Sequence, residues 1–182
     1  MRDNFATLDA AALAGGRAFG QHIAHAQARA LERERETHAK MRGGVRPAGL
    51  GRGGGGLGAA IADSNRTVFV WVGDGGFLMT GQELATIVQE SLPVKIIVCD
   101  NAAWGSILVH QQKRFPGWDF GTRLASPDFG MLAQGYGVPY FTVRETDEFD
   151  GALEQTLEVN GPALIHVHLD PRDLVEFSGS AH

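Results

Sequence analysis

The chain holds a single cysteine in 182 residues, which excludes disulfides and cysteine-based metal sites. That residue, Cys99, sits in the apolar run VKIIVC, where a buried structural thiol is expected. Long hydrophobic runs are also missing. No stretch approaches the roughly 20 apolar residues that cross a bilayer, and the opening MRDNFATLDA lacks the apolar core of a signal peptide. The expectation is a cytoplasmic protein without membrane contact. Basic excess is absent from the main body: residues 51–182 hold 8 Lys and Arg against 16 Asp and Glu, while residues 1–50 hold 8 against 5. An acidic body argues against a nucleic-acid surface, and the alternating Glu and Arg of LERERE suit a solvated helix face.

What is present is the composition of a soluble globular chain, 43% hydrophobic and 20% charged, with glycine the outlier at 25 residues. The length suits one α/β domain with its own core. Residues 1–50 read as a separate N-terminal segment, helical from Phe5 to about Lys40, as one helix or two broken at Gly15-Gly16, because Phe5, Leu8, Ala12, Phe19, Ile23, Ala26 and Ala30 are spaced near three or four apart. His22, His25 and His38 fall on that segment and read as solvated. MRGGVRPAGLGRGGGGLG then offers nothing that would hold a regular element, and reads as either a linker or a phosphate-cradling loop.

Regular patterning begins after Arg66, within a domain spanning 51–182. TVFVWV is a β-branched apolar run of the kind buried on both faces of a sheet. GQELATIVQES has helical spacing and ends before Pro93. VKIIVCD is a second buried strand, and a helix is expected from about Ser106. SPDFGMLAQGYG carries an N-cap signal and closes on Gly137. PYFTV is a short strand, TDEFDGALEQTLEV a capped helix from about Thr146, and PALIHVHLD the last strand. Alternation of this kind predicts an α/β fold, a parallel sheet with helices on both faces, preceded by the helical N-terminal segment. Ligands of such sheets bind beyond the carboxyl ends of the strands.

Two loops open on that edge: Gly73-Asp74-Gly75-Gly76 after the first strand and Asp100-Asn101-Ala102-Ala103-Trp104-Gly105 after the second. A carboxylate, an amide oxygen and backbone carbonyls form a hard oxygen set suited to Mg²⁺ shared with a phosphate. Glycines beside Asp74 would let backbone N–H groups reach phosphate oxygens, with a helix starting near Thr80 turning its positive end towards them. The implied guest is a diphosphate. His166 and His168 alternate along HVHLD and share a face; a metal pair is conceivable, but the favoured reading is two partly buried or edge histidines, since no Asp, Glu or Cys stands at a recognised spacing. His110 could face the site from the following helix.

The stretch GDGGFLMTGQELATIVQESLPVKIIVCDNAAWGSI resembles the diphosphate-binding motif of thiamine-diphosphate (ThDP) enzymes, GDG with a paired Asn after a strand and a helix. FLMTGQELATIVQESLPVKIIV is most similar to the acetolactate-synthase group, and the likeness continues through HQQKRFPG, SPDFGMLAQGYGV and TDEFDGALEQTLEVNGPALIHVHLD, over roughly 66–175. The resemblance implies a ThDP-binding fold. It also implies that Asp74 and Asn101 ligate Mg²⁺ through side chains and Ala103 through its carbonyl. Gly73, Gly75, Gly76, Trp104 and Gly105 would line the cofactor, with Ile107 one helical turn on. Asp100 replaces the first Asn of the usual pair. GGGGLGAAIAD stands where the family has G-A-M-G-x-G-L-P-A-A-I-G-A-K, with Gly53 at the Met and Gly58 at the Pro, and residues 1–50 show no likeness to the family, as a rearranged N-terminal part would.

The activity that the resemblance implies is decarboxylation of a 2-oxo acid with carboligation, as in acetolactate formation. No catalytic residue is assigned, because in the family the Glu that helps ionise the cofactor belongs to a separate pyrimidine-binding domain. Another chain or a missing segment would have to supply it, so a homo- or hetero-oligomer is expected. Two other expectations stand beside this: one subunit of a split decarboxylase of the sulfopyruvate or phosphonopyruvate kind, or a non-catalytic remnant that kept the fold.

Overall fold

The computed structural model describes residues 53–170. The expected N-terminal helix and the histidines on it lie outside the described residues. The first described element is a helix, α1 (Gly53–Ala62), where the sequence predicts none. Helix propensity argues against four consecutive glycines, but packing decides the matter. A Cβ on Gly56 would stand 2.1 Å from Val70 Cγ2, so only glycine lets this helix lie so close to the sheet, and Ala60 is fully buried one turn on.

Four strands follow: β1 (Val68–Gly73), β2 (Val94–Asp100), β3 (Tyr140–Val143) and β4 (Ala163–His168). All pair in parallel, in the spatial order β1-β2-β4-β3. The connecting helices are α2 (Asp74–Thr80), α3 (Leu84–Gln89), α4 (Gly105–Arg114), α5 (Phe129–Gly135) and α6 (Glu148–Glu158). The parallel α/β architecture expected from the alternating pattern is therefore the observed one. None of the described helices is long and apolar enough to cross a membrane.

Strand periodicity sorts the core into two layers. Val70, Val72, Ile96, Val98 and Leu164 face one side, where Ala60, Phe77, Leu84, Ile87, Phe129 and Ala133 cover them. Ile97, Val143, Ile165 and Val167 face the other, under Phe149, Ala152 and Leu153 of α6. Cys99 belongs with this second layer, and burial pushes its thiol up to about 12, as a structural thiol requires. Lys95 is also buried, and its ammonium donates to the carbonyls of Val159 and Gly161, both at 2.7 Å, tying β2 to the turn before β4.

Helix boundaries show where local signals mislead. The helix expected from near Thr80 is present, opening as a 3₁₀ turn over Gly81–Glu83 and continuing as α3, but an unexpected helix precedes it: α2 begins at Asp74, directly on the end of β1, with Gly73 as its N-cap, so α2 and not α3 starts at the rim. Asp128, not Ser126, caps α5 by accepting from Met131 N at 2.9 Å. That frees the Ser126 hydroxyl for another use.

Candidate functional site

The carboxyl ends of β1, β2 and β4 meet at one rim. Register sets this placement: Gly73 stands opposite Cys99, and Asp100 opposite His168. Asp74, only 3% exposed, lies just beyond β1. Its Oδ1 accepts from Gly75 N at 2.8 Å and its Oδ2 from Ala103 N at 3.1 Å. The Asn101 side-chain oxygen accepts from the same Ala103 N–H at 3.2 Å. Two hard oxygens from loops 27 positions apart in the chain thus converge on one backbone amide.

The second loop is held in an unusual backbone shape. Ala102 has φ +52°, a left-handed conformation that costs a non-glycine residue of order 1 kcal/mol and marks functional loops. Hydrogen bonds fix it there: Trp104 N donates to Thr122 O, Leu124 N to Ala102 O, and Asp100 Oδ1 accepts from Ala102 N at 3.0 Å. The Ala103 carbonyl accepts from Gly105 N at 2.8 Å and keeps its second lone pair.

Asp74 and Asp100 are linked through Ser126, whose hydroxyl lies 2.7 Å from Asp100 Oδ1 and 3.4 Å from Asp74 Oδ2. Burial raises the Asp74 pKa, opposed by the Gly75 and Ala103 amides and reinforced by the charge of Asp100. Burial acts in the same sense on Asp100, but hydrogen bonds from His166, Ser126 and Ala102 outweigh it and hold that carboxyl below its usual range. Of the two, Asp100 is the firmly ionised one. A divalent cation beside Asp74 would offset the cost of ionising it.

Gly73 is exposed, Gly75 buried and Gly76 half-buried. Packing alone accounts for two of these glycines, since a Cβ on Gly75 would stand 2.6 Å from the Trp104 ring and one on Gly76 would stand 2.9 Å from Val72 Cγ2. Gly75→Val is therefore expected to displace the half-buried Trp104 and to cost about 1–3 kcal/mol by overpacking. The check is a red-shifted tryptophan emission together with a lower urea midpoint; an unmoved spectrum would contradict the contact. Gly105 opens α4, while Ile107 and His110 on that helix are exposed and do not enter the cluster.

The favoured reading of His166 and His168 as partly buried histidines fits their burial, but sequence spacing offers them no acidic partner. The structure corrects this: Asp100 Oδ2 lies 3.1 Å from His166 Nε2, and the three residues gather their ligand atoms within 4.8 Å. The pairing joins residues 66 positions apart, so no local spacing signals it. Ser126 is the other residue that sequence reasoning missed, because its N-cap signal conceals its contact with the two carboxylates.

The donor set around Asp74 fits Mg²⁺ held with a diphosphate. Carboxylate, amide and carbonyl oxygens are its ligands of choice, and octahedral neighbours stand about 2.9 Å apart, a spacing within reach of two oxygens that already share one N–H.

Known proteins give the context. A family model described as thiamine pyrophosphate enzyme, C-terminal TPP binding domain, matches residues 18–167. The match begins well inside the first 50 residues and overturns the expectation that they carry no family likeness. Two large subunits of acetolactate synthase from Escherichia coli K12 are similar to it. Isozyme 2 is 37% identical over 139 residues, covering 74% of this chain and 25% of the relative. Isozyme 1 is 35% identical over 164 residues, 86% of this chain and 28% of the relative. Among solved structures, a thiamine diphosphate-dependent 4-hydroxybenzoylformate decarboxylase from Rhodococcus jostii RHA1 superposes with a TM-score of 0.60 at 29% identity, over 64% of this chain and 22% of that one. The chain thus spans about a quarter of the length of these relatives. With the parallel sheet, the GDG loop and the Asn loop on one rim, the chain belongs to the C-terminal TPP-binding domain family of thiamine-diphosphate enzymes, with acetolactate-synthase large subunits among its relatives.

Proposed function

We propose that this chain holds the diphosphate of ThDP through Mg²⁺, as the cofactor-binding part of an acetolactate-synthase-like 2-oxo acid decarboxylase and carboligase. The observation that carries this reading is the convergence of Asp74 Oδ2 and Asn101 Oδ1 on the Ala103 amide, at 3.1 and 3.2 Å. Asp74, Asn101 and the Ala103 carbonyl would ligate the metal. Gly73, Gly75, Gly76 and Gly105 would meet the phosphates through their backbone, and Trp104 would flank the cofactor beside Gly75.

Bound ThDP supplies a nucleophilic carbon and an electron sink for 2-oxo acids. The residues of this chain position and neutralise. Asp74 brings a full negative charge to the cation, Asn101 a neutral oxygen, and the strained Ala102 turn presents the Ala103 carbonyl. Ser126 and Asp100 fix the Asp74 carboxylate from behind, so that it need not reorganise when the ion arrives.

A pyrimidine-binding domain, from another chain or another segment, would complete the active site in a homo- or hetero-oligomer, with cytoplasmic enzymes as the setting. Decarboxylation without carboligation is the second reading, favoured by the superposition on a 4-hydroxybenzoylformate decarboxylase. The test is calorimetric titration of the chain with ThDP, with and without Mg²⁺, on the unmodified protein and on Asn101→Ala. Expected are saturable binding only with the metal and a loss of at least about tenfold in the variant, in line with losing one neutral ligand. Equal binding without Mg²⁺, or in the variant, would reject the assignment.

A further inference from the structure

The cluster at the ends of β2 and β4 has a different chemistry from the oxygen set beside it. Asp100 and His168 are register partners at the last positions of the two strands, and His166 lies two residues back on the same face. Their ligand atoms fall within 4.8 Å of one another, with Asp100 Oδ2 and His166 Nε2 at 3.1 Å. Ligands bound about 2 Å from one tetrahedral Zn²⁺ stand about 3.3 Å apart, so this pair already has the span of two zinc ligands. The two imidazole rings lie with centroids 4.0 Å apart and a 37° tilt, on the ends of strands rather than on loops.

We infer that Asp100, His166 and His168 form a binding site for a borderline transition-metal cation, Zn²⁺ in chemical class, with a coordination position left for water.

The surrounding contacts suit this use. Asp100 Oδ1 is saturated by Ser126 Oγ at 2.7 Å and Ala102 N at 3.0 Å, which leaves Oδ2 as a single, oriented ligand. His166 Nδ1 faces the Asp128 carboxylate at 3.9 Å, longer than a direct hydrogen bond, so the ring is held by its Asp100 contact and by packing. The edge of the Phe129 ring at 5.2 Å and burial to 2% exposure further restrict the His166 ring. With Nε2 on the ion, the neutral ring would carry its proton on Nδ1, on the side of Asp128. His168 is half-buried and gives the ion its way in from solvent. Imidazole ligation selects against Mg²⁺, which prefers the all-oxygen set of Asp74, Asn101 and the Ala103 carbonyl. One rim can therefore sort two cations by ligand softness.

The test uses the full 182-residue chain, metal-free, with Zn²⁺ alone titrated against a chromogenic chelator and Co²⁺ as the absorption probe. Expected are one equivalent of tightly bound Zn²⁺ and the visible bands of four- or five-coordinate Co²⁺. His168→Ala, and His168→Gln as a milder second variant, should each weaken binding at least about tenfold, with metal-free melting curves showing that they fold. Asp74→Asn removes a charge that is linked to Asp100 through Ser126, and should weaken Zn²⁺ binding less than either His168 variant does. The site is refuted if no stoichiometric Zn²⁺ binds or if both His168 variants bind as the parent does. It is refuted equally if Asp74→Asn removes the binding, since the ion would then sit in the oxygen set.

Discussion

Asp74→Ala should reduce Mg²⁺-dependent affinity for ThDP by on the order of 100-fold, since removing one partner of a buried charged contact costs about 3 kcal/mol. Asp74 is the charged member of the proposed ligand set, and its carboxylate is 3% exposed, so bulk water cannot take its place. Its loss leaves Gly75 N without its acceptor, while Ala103 N keeps Asn101. Against that stands a gain, because burial raises the Asp74 pKa and ionised Asp74 is therefore a burden on the metal-free fold. The two effects oppose each other. The variant is thus expected to melt within a few degrees of the parent while losing the cofactor, a combination read by calorimetry beside a thermal scan. Retention of Mg²⁺-dependent binding would show that Asp74 serves only to hold the Gly75 and Ala103 amides.

The sequence made the strands and the rim legible because both rest on short-range rules. VFVWV and VKIIV are β-branched, largely apolar runs of the kind a parallel sheet buries, although β1 lies at the sheet edge and leaves Phe69 and Trp71 half-buried, and once two such strands lie side by side their following loops must share an edge. Asp74 and Asn101 meet for that reason. Other features depend on contacts that local patterns do not encode. The α1 glycines are poor helix formers by propensity, yet the fit of Gly56 against Val70 makes a helix there. The helix expected near Thr80 is there, but a second one, α2, lies between it and β1, because the residues of the GDGG turn signal form the first turn of a helix. Ser126 looks like an N-cap until Asp128 is seen to cap α5, and Asp100 becomes the partner of His166 only because β4 inserts between β2 and β3.

Phe129→Ala should be the most destabilising single truncation near the rim, at about 3–5 kcal/mol. Phe129 is fully buried and packs edge-on between Phe77, with ring centroids 5.3 Å apart, and His166, at 5.2 Å. Such edge contacts add about 0.5–1.5 kcal/mol each to the area term. The residue follows the Asp128 cap, so its position on α5 is fixed at the helix start and the void cannot be closed by sliding the helix. The cavity would open beneath the rim. His166 would lose the ring that restricts it, and its hydrogen bond would hold Asp100 less firmly. Urea unfolding should show a lower midpoint with an unchanged slope, the sign of lost stability without a change in surface exposed. Phe129→Leu, which leaves a smaller void, should recover more than half of the loss. A cost below about 1 kcal/mol for the alanine variant would mean that α5 repacks freely, and the rim would then have no rigid floor.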